Sequence, residues 1–291
     1  MTLTEPTTGT LEVPGATLAY DVRRNDASTE PPLFLVGLPM AAPGFATLAS
    51  HFPDRTIMTY DPRGSERSTK TDPMGSATPD DHAGDLHRLI QELGAGPVDL
   101  FGSSGGAITS LALVAKHPED VRTVVAHEPP LASVLPDREN AQAAARAVHE
   151  TYMAKGFGAG MAHFIAVVSH KGEFPDDFAQ QPAPNPAMFG MPTEDDGSRT
   201  DVMLGSNMIT TTHYEPDFNA LRAASTRIVI GAGEASDGEM AHRGALGVAG
   251  RLGQEPVMFP GDHGGFLGGE YGQTGEPDAF AAKLRQVLGE G

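Results

Sequence analysis

The chain reads Val-Asp-Leu-Phe-Gly-Ser-Ser-Gly-Gly from residue 98 to residue 106, an apolar strand that runs directly into a Gly-x-Ser-x-Gly pattern. A serine hydroxyl is a weak nucleophile, so it needs a sharp strand-to-helix turn that holds its oxygen clear of the backbone. Only one register of the pattern fits, because Phe101 stands where Ser103 would need a small residue. The pattern therefore centres on Ser104. A helical sequence follows at 107–116, and this context predicts that Ser104 is a nucleophile.

The composition limits the class of protein. The chain has 291 residues, 39% of them hydrophobic, which suffices for one large α/β domain with an insertion. A net charge of −18 argues against nucleic acid or an anionic membrane as a partner. The absence of cysteine excludes disulfides, thiolate metal sites and a cysteine nucleophile. No apolar run approaches the ~18 residues of a membrane span, and the first ten residues do not resemble a signal peptide. We expect a cytoplasmic protein.

Eight strands are predicted, and the helical sequences between most of them imply a parallel sheet with right-handed crossovers. The predicted strands are a hairpin within 11–23, then 32–38, 55–60, the strand before Ser104, 121–126, 227–231 and 255–259. The predicted helices that alternate with them are 80–93, 107–116, 239–252 and 278–288.

This alternation is interrupted after the sixth predicted strand. Residues 130–218 contain helical sequences at 138–155 and 160–168 and a stretch rich in Pro, Met and Phe, but no convincing strand. We interpret this insertion of roughly 90 residues as a helical lid over the site, with 1–129 and 219–291 as the core. The alternative is an arm for packing or for a homodimer. The large apolar side chains of the insertion fit either a core or a pocket for a bulky apolar substrate: Met153, Phe157, Met161, Phe164, Met188, Phe189, Met191, Met203 and Met208.

Four features occur in a fixed order along the chain. They are Gly37-Leu38-Pro39, Asp61-Pro62-Arg63-Gly64-Ser65, the turn at Ser104, and Gly261-Asp262-His263-Gly264-Gly265. In this order they resemble the α/β-hydrolase superfamily, over nearly the whole chain except the lid. The resemblance implies an α/β-hydrolase fold: a mostly parallel eight-stranded sheet with helices on both faces and a helical lid inserted after strand 6. It also implies that His263, in a glycine-rich loop after the last strand, is the general base.

The acid that orients this base departs from the usual pattern. Most relatives place an Asp shortly after the seventh strand. Here that region reads Gly-Ala-Gly-Glu-Ala-Ser-Asp from 231 to 237, so its candidate acids are Glu234 and Asp237. The residue three positions after Gly233 is Ser236. The other candidate is Glu128, at the end of the sixth predicted strand. The chain resembles lactone hydrolases such as zearalenone lactonase in having a Glu there. We favour Glu128 and keep Glu234 and Asp237 as alternatives.

Two backbone amides are expected to form the oxyanion hole, that of Gly105 after the nucleophile and that of Leu38 after the third strand. Asp61 and Arg63 are interpreted as scaffold residues. We interpret the following histidines as structural, with His213 as a residue that could at most line the substrate site: His82, His87, His117, His127 and His213.

The function that the resemblance implies is a serine hydrolase acting through an acyl-enzyme on a carboxylic ester or lactone of a fairly bulky apolar small molecule. Two alternatives stay open: a cofactor-free perhydrolase with the same triad, and a ligand-binding protein of this fold with little turnover. Ser104 argues against epoxide hydrolase or dehalogenase chemistry, which would need a carboxylate at this turn. No cofactor and no metal are expected, because the triad needs none and the chain lacks a His-Glu-x-x-His spacing.

Overall fold

A computed structural model describes residues 5–73 and 75–289, and its strands form a single sheet. The spatial order is β1-β2-β4-β3-β6-β7-β8-β9, with β5 paired to β2. The pairs β1–β2, β2–β4 and β2–β5 are antiparallel, and all pairs from β4 to β9 are parallel. The strands are β1 (Thr7–Val13), β2 (Ala16–Arg23), β3 (Leu33–Val36), β4 (Ile57–Tyr60), β5 (Thr69–Lys70), β6 (Val98–Ser103), β7 (Val121–His127), β8 (Arg227–Gly233) and β9 (Val257–Phe259).

The mostly parallel sheet is confirmed, and all eight predicted strands are present. The additional strand, β5, has only two residues and pairs with Ala16 and Thr17. Two residues are too few to show an alternating pattern, so this strand has no recognisable signal in the sequence. Because of β5, the predicted sixth strand is β7 in the structure.

Helices cover both faces of the sheet. They are α1 (Ala46–Ser50), α2 (Pro79–Leu93), α3 (Gly105–Lys116), α4 (Arg138–Lys155), α5 (Phe157–Val168), α6 (Met208–Thr212), α7 (Phe218–Ala223), α8 (Met240–Leu252) and α9 (Pro277–Gly289). Helix α2 begins with a capping box between Thr78 and Asp81 and ends at Gly94, whose φ of 66° is left-handed. Among the described helices, none combines the length and the apolar character that crossing a bilayer requires.

The strands divide the core between the two faces. In β6, Leu100 packs with Leu111 of α3 and Val248 of α8, whereas the next residue, Phe101, belongs to a second cluster that contains Phe280 of α9. Successive side chains of a strand point to opposite faces, so both faces of this strand are buried. Nearly every residue of β3, β6 and β7 is accordingly buried, and β3 is apolar throughout.

The segment between β7 and β8 builds a third apolar cluster of its own. Val148 and Tyr152 of α4 pack there with Leu204, which lies in a π-helical turn over Met203–Asn207. Helix α4 has the predicted bounds, and α5 begins three residues before the predicted residue 160. No strand occurs between 128 and 226, a range that the structure describes throughout.

Candidate active site

Ser104 lies on the turn between β6 and α3 with a φ of +59°, a left-handed conformation that is rare for a residue with a side chain. Its backbone amide donates to the carbonyl of His127, 3.0 Å away, which ties the turn to the end of β7. A Cβ on Gly106 would collide with the carbonyl of Val36, and one on Gly102 with Ser110. The glycines on either side of the serine are therefore needed for close packing of the turn.

Glu128 and His263 form a direct hydrogen bond. His263 Nδ1 lies 2.7 Å from Glu128 Oε2, although 135 positions separate them in sequence. Glu128 follows β7 directly and is fully buried, whereas the His263 side chain is 38% exposed. Because Nδ1 faces the carboxylate, the other ring nitrogen, Nε2, is left for a reacting group.

The other oxygen of Glu128 is held by the end of β8 and by the loop that follows it. Glu128 Oε1 accepts hydrogen bonds from the amide of Gly233 at 2.8 Å and from Ser236 Oγ. Glu128 has a φ of +49°, so its backbone also adopts a left-handed conformation. Sequence reasoning noted Ser236 three residues after Gly233 but assigned it no role. The hydroxyl of Ser236 is the sequence signal that could have indicated a hydrogen-bond donor to an acid from another strand.

The surroundings separate the pKa values of the pair. Burial alone would raise the pKa of Glu128, but the hydrogen bond and the charge of His263 outweigh it and lower that pKa to about 2. Burial alone would lower the pKa of His263, but the hydrogen bond to Glu128 and the negative charge of Glu128 raise that pKa above its usual value. Glu128 is thus ionised at neutral pH and favours the protonated form of His263.

The two alternative acids lie elsewhere. Glu234 is exposed, and its backbone amide donates to the carbonyl of Phe259. The side chain of Asp237 is 91% exposed, and its Oδ1 lies 3.7 Å from His242 Nε2. Neither carboxylate is hydrogen-bonded to His263 in the described part of the chain.

The backbone at Leu38 lies against the turn at Ser104. A Cβ built on Gly105 would lie 2.6 Å from the carbonyl oxygen of Leu38. Within the described residues, the backbone amides of Leu38 and Gly105 donate to no other residue. Asp61 supports the same loop by accepting from the amide of Ala42 at 3.1 Å.

Arg63 and the histidines interpreted as structural do not belong to the group formed by Ser104, Glu128 and His263. Arg63 pairs with the buried Asp85 at 2.7 Å, as expected of a scaffold residue. His127 is fully buried beneath the site, with its ring 6.3 Å from that of His263 and 5.2 Å from that of Phe280. Burial lowers the pKa of His127 to about 4, so its ring is neutral at pH 7.

Ser104 and His263 both line two adjoining cavities. The larger has a volume of about 1090 Å³ and the smaller about 370 Å³. The 130–218 segment contributes Phe157, Met161, Phe164, Met191 and Met203 to the larger cavity and Phe164, Met203 and Met208 to the smaller. Met153 and Met188 are exposed, and Phe189 lines neither cavity. The apolar residues of this segment thus serve partly as core and partly as pocket wall.

The charges around the larger cavity have one sign. Glu66, Asp196, Asp201 and Asp262 line it, and no lysine or arginine is among its described lining residues. The nearby Arg199 is held by Asp195 at 2.7 Å. The described lining of this cavity is therefore apolar and aromatic with carboxylates, and it contains neither lysine nor arginine.

Comparison with known proteins agrees with this architecture. A profile of the alpha/beta hydrolase fold family matches residues 31–225. The chain belongs to the α/β-hydrolase family. A relative from Bacillus subtilis, the uncharacterized hydrolase YraK, is 31% identical over 264 residues, which cover 89% of this chain and 90% of the relative.

Solved structures of this family share the fold at low identity. A thermophilic esterase from Thermogutta terrifontis has a TM-score of 0.65 and 18% identity, with 99% of each chain covered. An enol-lactonase from Burkholderia xenovorans has a TM-score of 0.62 and 18% identity, with 96% of this chain and 99% of that chain covered. The predicted membership of the α/β-hydrolase superfamily is confirmed, and so is the predicted mostly parallel sheet with helices around it.

Proposed function

We propose that this protein is a serine hydrolase that cleaves a carboxylic ester or lactone through an acyl-enzyme. Ser104 is the nucleophile, His263 the general base and Glu128 the orienting acid. The observation that carries the proposal is the 2.7 Å hydrogen bond between Glu128 and His263, beside a cavity that His263 and Ser104 both line. A relative named as a hydrolase and solved structures named as an esterase and an enol-lactonase support it.

The reaction follows from the positions of these groups. Ser104 Oγ attacks the carbonyl carbon of the substrate while His263 Nε2 takes the hydroxyl proton. The amides of Leu38 and Gly105 donate to the oxygen that becomes negative. When the carbon–oxygen bond of the leaving group breaks, His263 returns the proton to the departing alcohol. Water then attacks the Ser104 ester in the same way and releases the acid.

The cavities define the class of substrate. A combined wall of Phe, Met and Leu side chains suits a fairly bulky apolar molecule. The carboxylates of the larger cavity would repel an anion, because the apolar walls of a cleft focus the electric field of charges of one sign. The substrate is thus a neutral or cationic ester or lactone.

The rest of the chain has supporting roles in this proposal. Residues 130–218 form a lid, because several of its side chains line the cavities above Ser104. Residues 1–129 and 219–291 form the catalytic core. In this proposal the protein acts in the cytoplasm without a cofactor.

A substrate panel with a matched variant tests this function. Purified protein is assayed on p-nitrophenyl esters of rising chain length and on macrolactones, beside Ser104→Ala. We expect turnover of at least one apolar ester or lactone and a loss of several orders of magnitude in the variant, whose fold stays intact. If Ser104→Ala keeps more than a few per cent of the rate, the mechanism is wrong. If no ester or lactone is cleaved, the proposed function fails.

A further inference from the structure

Three potential metal ligands meet near the start of β7, at the end of the parallel strands opposite the catalytic site. They are His87 on α2, His117 at the end of α3, and Asp120 on the short turn before β7. One ligand atom of each lies within 4.8 Å of the other two, and this is the only such group of His and carboxylate side chains in the described residues. The rings of His87 and His117 stack with their centroids 3.9 Å apart.

The carboxylate of Asp120 is already oriented toward the histidines. Asp120 is 3% exposed, and its Oδ2 lies 2.6 Å from His87 Nδ1. Its Oδ1 accepts from Gln91 Nε2 at 3.0 Å, so the second oxygen is fixed by a neighbour on α2. Metal-bound carboxylates are commonly oriented by such hydrogen bonds.

The two histidines are accessible and can supply neutral nitrogen ligands. The side chains of His87 and His117 are 30% and 32% exposed, so an ion can enter from solvent. His117 Nδ1 lies 3.3 Å from Glu119 Oε1, which can hold one proton of that ring and leave the other nitrogen free. Two imidazole nitrogens and one carboxylate oxygen, with water in a fourth position, are a donor set typical of Zn²⁺.

We propose that His87, His117 and Asp120 bind one Zn²⁺. The ion takes the place of the hydrogen between His87 Nδ1 and Asp120 Oδ2, and that hydrogen passes through solvent to Nε2 of the same ring. The ring of His117 turns out of its stack on His87 to reach the same centre. The ion joins α2 to the turn between α3 and β7.

The position of this site separates it from the catalytic reaction. Asp120 precedes β7 and Glu128 follows it, and seven residues of strand span roughly 20 Å. Zinc bound there is too far away to contact a substrate at Ser104. Removal of the ion is expected to lower the thermal stability and to leave ester hydrolysis at 25 °C unchanged.

Zinc binding to the full chain, made without a histidine tag, tests the proposal. Protein stripped with EDTA is titrated with ZnCl₂ by calorimetry, beside His117→Ala and His87→Gln. The control is His51→Ala, which removes a histidine that lies 3.4 Å from one carboxylate, Asp278, outside the cluster. We expect one equivalent bound with a Kd of about 1 μM or tighter, and a rise in Tm of about 5 °C with excess zinc. Both cluster variants should weaken binding at least ~10-fold, and His51→Ala should not.

Circular dichroism of each variant checks that a loss of binding does not reflect unfolding. His117→Ala is the safer of the two cluster variants, because His117 lies at the end of α3 whereas His87 lies within α2. The proposal is overturned if zinc binds no more tightly than ~100 μM. It is also overturned if folded His117→Ala binds zinc as wild type does, or if His51→Ala loses binding equally.

Discussion

Ser236 Oγ donates a hydrogen bond to Glu128 Oε1, so the loop after β8 contributes a hydroxyl to a carboxylate that comes from the end of β7. Gly233, the last residue of β8, donates its amide to the same oxygen at 2.8 Å. These two donors fix the plane of the carboxylate, and Oε2 then faces His263. Residues at and after the end of β8 thus orient a carboxylate that comes from the neighbouring strand.

Replacing Ser236 tests this positioning role. In Ser236→Ala, Glu128 keeps the amide of Gly233 but loses one donor, so we expect kcat to fall about tenfold, or ~1.4 kcal/mol in barrier terms, with little change in KM. Ser236→Thr, which keeps a hydroxyl, should recover most of the rate. Steady-state kinetics on the best ester, with the exposed Ser50→Ala as control, measure both. An unchanged kcat in Ser236→Ala would show that the hydroxyl has no positioning role.

Removing the acid tests its assignment. Glu128→Ala should lower kcat by ~10³–10⁴, because His263 loses the group that orients its ring and stabilises its cation. Glu128→Asp should also be costly, because the shorter side chain falls about one methylene short of the imidazole. The controls are Glu234→Ala and Asp237→Ala, which should stay within about tenfold of wild type. An inactive Glu234→Ala beside an active Glu128→Ala would move the acid to the loop after β8.

The acidic limb of the pH–rate profile reports on the same pair. Only neutral His263 can accept the proton of Ser104, so kcat/KM should fall as the pH drops through the pKa of this histidine. The pKa of His263 is raised, so the midpoint of this limb should lie above 6.5. Glu128→Gln removes the negative charge and should move the midpoint to lower pH. A midpoint unmoved in Glu128→Gln, measured over pH 5 to 9, would contradict the coupling of these two groups.

The carboxylates of the larger cavity predict discrimination by charge. Among esters of equal size, kcat/KM should be lowest for one with a carboxylate in its alcohol part, and the difference should shrink at high salt because exposed charges are screened. Glu66→Gln should reduce the difference in kcat/KM between the anionic and neutral esters. Glu255→Gln is the control and should leave that difference unchanged, because Glu255 is exposed and lines neither cavity. Equal kcat/KM for the anionic and neutral esters at low salt would refute this part of the account.

Much of the fold could be predicted because its signals are local. Gly-x-Ser-x-Gly after an apolar strand specifies the turn at Ser104, and the amphipathic pattern and capping residues of α2 give its bounds to within a residue. The two-residue β5 could not be predicted, because its pairing with β2 depends on neighbours distant in sequence.

The arrangement around the acid depends on contacts between strands. Glu128 is separated by 108 positions from Ser236 and by 135 from His263, and no local pattern joins these residues. Sequence reasoning could name Glu128 as one of three candidates. Its hydrogen bonds to Gly233 and Ser236 follow only from the order in which β7 and β8 lie in the sheet.

Covalent labelling of Ser104 tests the central claim most directly. A fluorophosphonate reacts with a serine hydroxyl only where a base and an oxyanion hole activate it. Wild-type protein is treated with the reagent, residual turnover is followed, and the modified peptide is identified by mass spectrometry. We predict one adduct per chain, on Ser104, formed in proportion to the loss of activity and absent from Ser104→Ala. Full activity in protein that carries the adduct, or loss of activity through an adduct on another residue, would contradict the account.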